Sequence, residues 1–146
     1  MPQQGELTIK TEFGILEVKP GEICVIQRGI KFQVNVSNTE LHRGYVAEIF
    51  DGHFELPERG PIGANGLANS RDFLTPVAAY EDIDYPNNDF TLFHKYQGGL
   101  FTVQLDHSPF DVVGWFGNYA PYKYDLANFC TMNSVSFDHP VCVKNS

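Results

Sequence analysis

Apolar and polar positions along the first fifty residues alternate in short bursts separated by turn residues. "ELTIKTEFGILEV" sets Leu7 and Ile9 against Leu16 and Val18 around a turn containing Gly14, the pattern of a hairpin. The next turn, "KPGE", uses Pro20 and Gly21 and leads into "EICVIQ", a short apolar run suited to burial on both faces. "KFQVNV" alternates cleanly, with Phe32, Val34 and Val36 on one face and Lys31, Gln33 and Asn35 on the other. "GYVAEIF" predicts one more strand. Short strands joined by Gly and Pro turns, with no convincing amphipathic helix, predict an all-β chain, a sandwich or barrel with irregular loops. Since only "MPQQGE" precedes Leu7, no earlier strand is expected to pair with residues 7–11 from outside, and an open edge is predicted there.

The middle of the chain has neither period. "HFELPERGPIGANGLANSRDFLTP" carries Gly60, Gly63, Gly66, Pro57, Pro61 and Pro76, and reads as an ordered but irregular connection pinned by its Leu and Ile residues. A phosphate loop is the sharper reading of "GPIGANG", but Lys followed by Ser or Thr is absent and no helix pattern follows. From about Asp89 a second strand-rich block begins, in which "FTLFHKYQ" and "LFTVQL" flank Gly98 and Gly99 as a two-residue hairpin turn. "DVVGWFGNYAPYKYDLANF" then places Trp115, Tyr119, Tyr122 and Tyr124 within ten residues. Such a cluster stacks a ring-shaped ligand in some proteins, but core or subunit-interface packing is its commoner fate.

Composition narrows the partners. With 146 residues, 42% apolar and 14% aromatic, the chain is of single-domain size and globular in character. Its formal charge of -8, without any Lys or Arg run, disfavours nucleic acid and anionic membranes. No apolar run approaches the roughly 20 residues that span a bilayer. Cys24, Cys130 and Cys142 are widely spaced and odd in number, with no CxxC pair and no signal-like leader, so three reduced thiols in a soluble, cytoplasmic protein are expected.

Candidate chemistry is sparse. His42, His53, His94, His107 and His139 are too far apart for two ligands on one element, so no local metal motif exists. Cys24 and Cys130 lie in apolar runs that raise a thiol pKa, and no Ser sits in a GxSxG elbow. Asp138 beside His139 is the most suggestive acid–base pair, although neighbours on a regular strand point to opposite faces.

Two resemblances add to this reading. "GILEVKPGEICVIQRGIKF" resembles the second conserved motif of the cupin barrels, but Lys31 and Phe32 stand where a metal-binding His usually follows the last turn. That looks like a cupin-type half without a metal. "GPIGANGLANSRDFL", "KYQGGLF", "SPF", "GNYAPYKYDLANF" and "NSVSFDH", in this order, resemble the homogentisate 1,2-dioxygenase family, with a match running from Pro2 to His139.

The resemblance implies an Fe(II)-dependent, extradiol-type enzyme of tyrosine and phenylalanine catabolism. Such an enzyme opens the ring of homogentisate with O2 to give maleylacetoacetate, and the family's subunits assemble as trimers and hexamers. It further implies that this chain is roughly the middle third of the family's length, with the earlier strands of the N-terminal β domain outside it. The expected organisation is an incomplete cupin-like (RmlC-like) β domain over residues 1–55 and an irregular connection over 56–88. A second strand-rich block over 89–139 leads to the active-site wall, and 140–146 form a divergent tail. By the same resemblance His139 is the general acid–base, and Ser134 is a weaker candidate for a substrate contact. The iron ligands lie in a later cupin segment, so no metal residue falls on this chain and the isolated chain is expected to be inactive. Phe116 stands where the family generally has His, and "PVCVKNS" replaces the family's continuation after His139. The alternative is a non-catalytic cupin-like module for binding or subunit assembly.

Overall fold

The computed structural model describes residues 1–37, 41–55, 68–87, 89–114, 119–133 and 136–142, and for residues 130–133 and 136–142 it describes the backbone. Within them the chain is all-β, its strands interrupted by two short 3-10 turns, Ser70–Asp72 and Leu126–Asn128. The strands are β1 (Pro2–Gln4), β2 (Leu7–Thr11), β3 (Gly14–Val18), β4 (Glu22–Val25), β5 (Phe32–Val36), β6 (Arg43–Gly44), β7 (Phe73–Leu74), β8 (Phe90–Tyr96), β9 (Gly99–Leu105), β10 (Tyr122–Asp125), β11 (Cys130–Asn133) and β12 (Ser136–Cys142). All pairings are antiparallel. They give sheets ordered β3-β2-β5 and β4-β10-β7 and the pairs β1-β6, β8-β9 and β11-β12, with no closed barrel among the described residues.

The first hairpin has the register its pattern predicts, with Leu7 opposite Val18 and Ile9 opposite Leu16. Thr11 clasps its turn: the Phe13 amide donates to Thr11 Oγ1 at 3.1 Å, and that hydroxyl donates to the Gly14 carbonyl at 2.9 Å. Gly14 has φ 125°, and a Cβ there would fall on the Val77 carbonyl oxygen. This close approach lets Ile15 and Val77 exchange two backbone hydrogen bonds of 2.8 and 2.9 Å, which cover the outer edge of β3. Ile9, Leu16 and Val18 form the buried cluster, against which Leu7, Cys24 and Ile26 pack. Lys123 of β10 ties the two larger sheets together, donating to both Glu22 carboxylate oxygens at 2.9 and 3.0 Å and to the Glu17 carbonyl at 2.6 Å.

Four expectations change. The predicted open edge at residues 7–11 does not exist, because β5 returns to pair along the whole of β2 and makes it the central strand. Alternation in β5 is present, but its apolar face is the uncovered one: Val34 and Phe32 are 45% and 53% exposed, whereas Ile9, opposite Val34 on β2, is 4% exposed. Cys24 of β4 and Ile26 just after it pack on the β2–β3 part of this face. "GYVAEIF" forms no strand after Gly44: Tyr45 still exchanges two backbone hydrogen bonds with Met1, at 2.9 and 3.0 Å, but residues 46–50 have no ladder partner among the described residues, and Val46 and Phe50 are exposed. The β8–β9 turn is Gln97-Gly98, one residue earlier than expected, with both residues at positive φ (46° and 79°) and Gly99 already paired with Tyr96.

Two central residues at positive φ are the signature of a type I′ turn, which favours Asn over Gln at its first position. Gln97→Asn is therefore expected to stabilise the protein by about 0.5 kcal/mol. The urea unfolding midpoint measures this.

Two rings of the aromatic block pack within the second sheet. Tyr124 is buried and stacks on Phe73 with centroids 4.5 Å apart, and Tyr122 meets the same ring edge-on at 5.7 Å. Tyr119 is exposed and donates to the Arg28 carbonyl at 2.8 Å, while Trp115 lies outside the described residues. No helix among the described residues is long and apolar enough to cross a membrane.

Candidate functional site

His139 lies in β12, whose pairing with β11 is irregular. Cys130, Thr131 and Met132 stand opposite Cys142, Val141 and Pro140, but the next β11 residue, Asn133, stands opposite Ser136. Residues 137–139 of β12 thus have no opposite residue on β11. His139 occupies a bulge, the device by which a strand escapes strict alternation and re-aims side chains beside active sites. Ser134 and Phe116 lie outside the described residues.

The remaining histidines do not converge. Nε2 of His42 contacts the Ser37 carbonyl at 2.8 Å, its ring packed against the backbone of Gly5. His94 is exposed on β8 beside Tyr96, His53 is exposed on a loop, and His107 sits at a different surface. Among the described residues no three His, Cys, Asp or Glu side chains are grouped to hold a metal ion. The thiol of Cys24 is pushed up to about 11, chiefly by burial, which leaves it protonated and poorly nucleophilic at neutral pH.

A groove unmarked by any motif does gather charge. Asp82, Asp84, Asp106, His107, Ser108 and Asp111 line an open concavity of about 560 Å³. Antiparallel backbone contacts build it, with the Tyr85 amide donating to the Asp106 carbonyl at 2.5 Å and the Ser108 amide to the Ile83 carbonyl at 2.8 Å. At its rim Nδ1 of His107 lies 2.7 Å from Oδ1 of Asp106, a hydrogen bond that raises the imidazole pKa and lowers that of the carboxyl. Behind the groove, Glu81 accepts from Lys10 at 2.5 Å and from the fully buried Ser108 hydroxyl at 2.6 Å. The groove suits cations and repels anions. Its sequence signal, "EDIDY" and "LDHSPFD", is only a local density of aspartates.

Burial acts to raise the Glu81 pKa, but the bonds from Lys10 and Ser108 outweigh it and hold the carboxyl below its usual value. A carboxyl depressed on folding adds stability above its unfolded pKa, and this stability is lost as pH falls through the folded one. Glu81→Gln is expected to cost about 1–3 kcal/mol at neutral pH. It should also flatten the fall in stability as pH drops below the ordinary glutamate value of about 4.3, as urea titrations at neutral pH and at about pH 3 would register.

Comparison with known proteins places this architecture. The family described as Homogentisate 1,2-dioxygenase N-terminal matches residues 1–126. Homogentisate 1,2-dioxygenase of Dictyostelium discoideum is 60% identical over 139 residues, 95% of this chain and 31% of that protein. The Homo sapiens enzyme of the same name is 58% identical over 139 residues, again 95% of this chain and 31% of the relative. That of Rhodopseudomonas palustris (strain BisB18) is 59% identical over 140 residues, 96% of this chain and 30% of the relative. The chain therefore spans somewhat under a third of the length of these curated relatives. An identity this high, sustained across nearly all of the chain, makes it a member of the homogentisate 1,2-dioxygenase family.

Proposed function

We propose that this chain supplies one wall of a homogentisate 1,2-dioxygenase, which cleaves the ring of homogentisate with O2 to give maleylacetoacetate in the cytoplasm. The observation carrying this reading is the 58–60% identity over 95% of the chain to proteins of that name. His139 acts as the general acid–base, taking the phenolic proton of homogentisate, and Ser134 makes a polar contact to the substrate. A bulged strand suits such a task, because the imidazole has to be aimed at one proton rather than packed into a sheet.

The family's iron would activate O2, but the described residues of this chain offer no cluster to hold it. The iron ligands are assigned to parts of the complete protein beyond this chain, and the chain alone is inactive. The acidic groove is not the substrate site, since four aspartates around it repel the carboxylate of homogentisate.

The test is a chimera in which the matched stretch of this chain replaces its counterpart in the Homo sapiens relative. Oxygen uptake with homogentisate is expected at a rate comparable to the parent's, while the isolated chain shows neither turnover nor stoichiometric Fe(II) binding in calorimetry. A folded, iron-loaded chimera without activity would remove the reading. Tight iron binding and turnover by the isolated chain would overturn the division of labour.

One observation favours an assembly role beside it. Phe93, Leu100, Phe101 and Val103 of the β8–β9 hairpin are exposed, and Lys95, paired with Glu48, is its only charged side chain. Phe93 and Leu100 lie on one face of the hairpin and Phe101 and Val103 on the other, and such an apolar, nearly uncharged hairpin on an acidic chain suits contact between subunits of a homo-oligomer, the trimer or hexamer of the family. Co-elution of the chain with full-length subunits of a relative measures this.

A further inference from the structure

We propose that His107 is a proton-operated clasp at the stem of the β8–β9 hairpin: protonated, it holds segment 106–111 against segment 81–85, and neutral, it lets the two ease apart. These segments flank the hairpin in sequence. Three backbone hydrogen bonds join them, from the Glu81 amide to the Phe110 carbonyl at 3.0 Å, from the Ser108 amide to the Ile83 carbonyl at 2.8 Å, and from the Tyr85 amide to the Asp106 carbonyl at 2.5 Å. Between the last two, Asp84 stands opposite His107 in an antiparallel bridge. The β8–β9 ladder ends with Phe90 opposite Leu105, so the stem continues its antiparallel course.

Charge loads this stem unevenly. Across the concavity from His107 lie Asp82 and Asp84, Asp106 and Asp111 come from its own segment, and among the lining residues His107 alone can carry positive charge. Glu81, behind them, is paired with Lys10. A protonated ring therefore offsets one of four carboxylates, and a neutral ring leaves all four to repel one another across the stem. The hydrogen bond with Asp106 outweighs desolvation and, with the charges of Asp106, Asp111 and Asp84, holds the imidazole above its usual pKa. An imidazole raised on folding stabilises fully below its unfolded pKa of about 6.5, and that stability is lost as pH rises through the folded value. Asp106 neighbours His107 in the unfolded chain as well, so the share that depends on a closed stem comes chiefly from Asp82 and Asp84. The clasp stands on this geometry; its use, fixing or releasing a hairpin for contact between subunits, rests on the assembly role proposed above.

The test is amide hydrogen exchange of the 146-residue chain on either side of the imidazole titration, at about pH 5.5 and about pH 8, with each rate divided by its intrinsic value. The β2–β3 amides serve as the internal reference. Relative to them, protection at the Tyr85 and Ser108 amides is expected to be about two- to fivefold lower at the higher pH, the worth of an exposed charge pair. His107→Gln should show the low value at both pH values. Asp82→Asn combined with Asp84→Asn should remove most of the pH dependence and lower the titration midpoint of His107 read by NMR. Equal protection at the two pH values in the parent chain, a pH dependence that survives in His107→Gln, or a His107 midpoint unmoved in the double Asn variant would each overturn the proposal. The readout involves no turnover of homogentisate, so the clasp can fail while the proposed function stands, and the reverse.

Discussion

Changing His139 to Gln in the active chimera is expected to lower kcat by about 10²–10⁴-fold, the usual worth of a positioned general acid–base. Glutamine keeps comparable bulk and hydrogen-bonding capacity but cannot accept a proton and return it at neutral pH. Binding of homogentisate should change much less, so kcat falls while KM stays within a few-fold. The pH profile separates this role from a structural one, since the limb of kcat set by the imidazole should disappear with the ring. A Gln variant that loses KM and kcat together, with its pH profile unchanged in shape, would make His139 a packing residue of the bulge.

Gly14→Val should cost about 3 kcal/mol or more, large against the total stability of a domain this size. Two penalties combine. At φ 125° a β-branched residue is strained by about 1–3 kcal/mol, and its Cβ would collide with backbone, the Val77 carbonyl oxygen, with the carbonyl carbon only 2.7 Å away. No rotamer relieves a clash with backbone, so the segment around Val77 has to leave β3. Hydrogen exchange at the Ile15 and Val77 amides should rise more than at the β2–β3 amides, and the urea midpoint should fall. Gly21 is the natural control: it also has positive φ, 88°, but a Cβ there meets nothing within 4 Å, so Gly21→Ala should show the conformational penalty alone.

These two sites differ in how far sequence reaches them. The β2–β3 hairpin was legible because alternation and a Gly turn are both local, and Leu7 to Val18 and Ile9 to Leu16 follow once the turn is placed. Alternation in "KFQVNV" was equally legible, yet period 2 says which side chains share a face and not which face is covered; coverage depends on where β4 and β10 lie. The Gln97-Gly98 turn was misplaced by one residue because Gly is favoured at either position of a two-residue turn, and the pairing of Tyr96 with Gly99 decides between them. Val77 closing the edge of β3, and β5 closing β2, are long-range choices that no local period encodes.

The site shows the same division. His139 could be singled out by its place in "NSVSFDH", but the bulge around it and the alignment of Cys130 with Cys142 depend on how β12 slips against β11. The aspartates of the groove were visible as composition and became a surface only when residues 82–84 met residues 106–108. Ser134 and Phe116 remain identified by motif alone.

The pairing of β4 with β10 also sets an order of events in time. The β3-β2-β5 sheet is complete by residue 36, so it can form within microseconds to milliseconds of being made. Glu22, by contrast, waits for Lys123, 101 residues further on. At about 5–20 residues per second that interval is on the order of 5–20 s on the ribosome. During it β4 has no ladder partner among the described residues, and the carboxylate of Glu22, later neutralised by Lys123, holds an apolar strand in water.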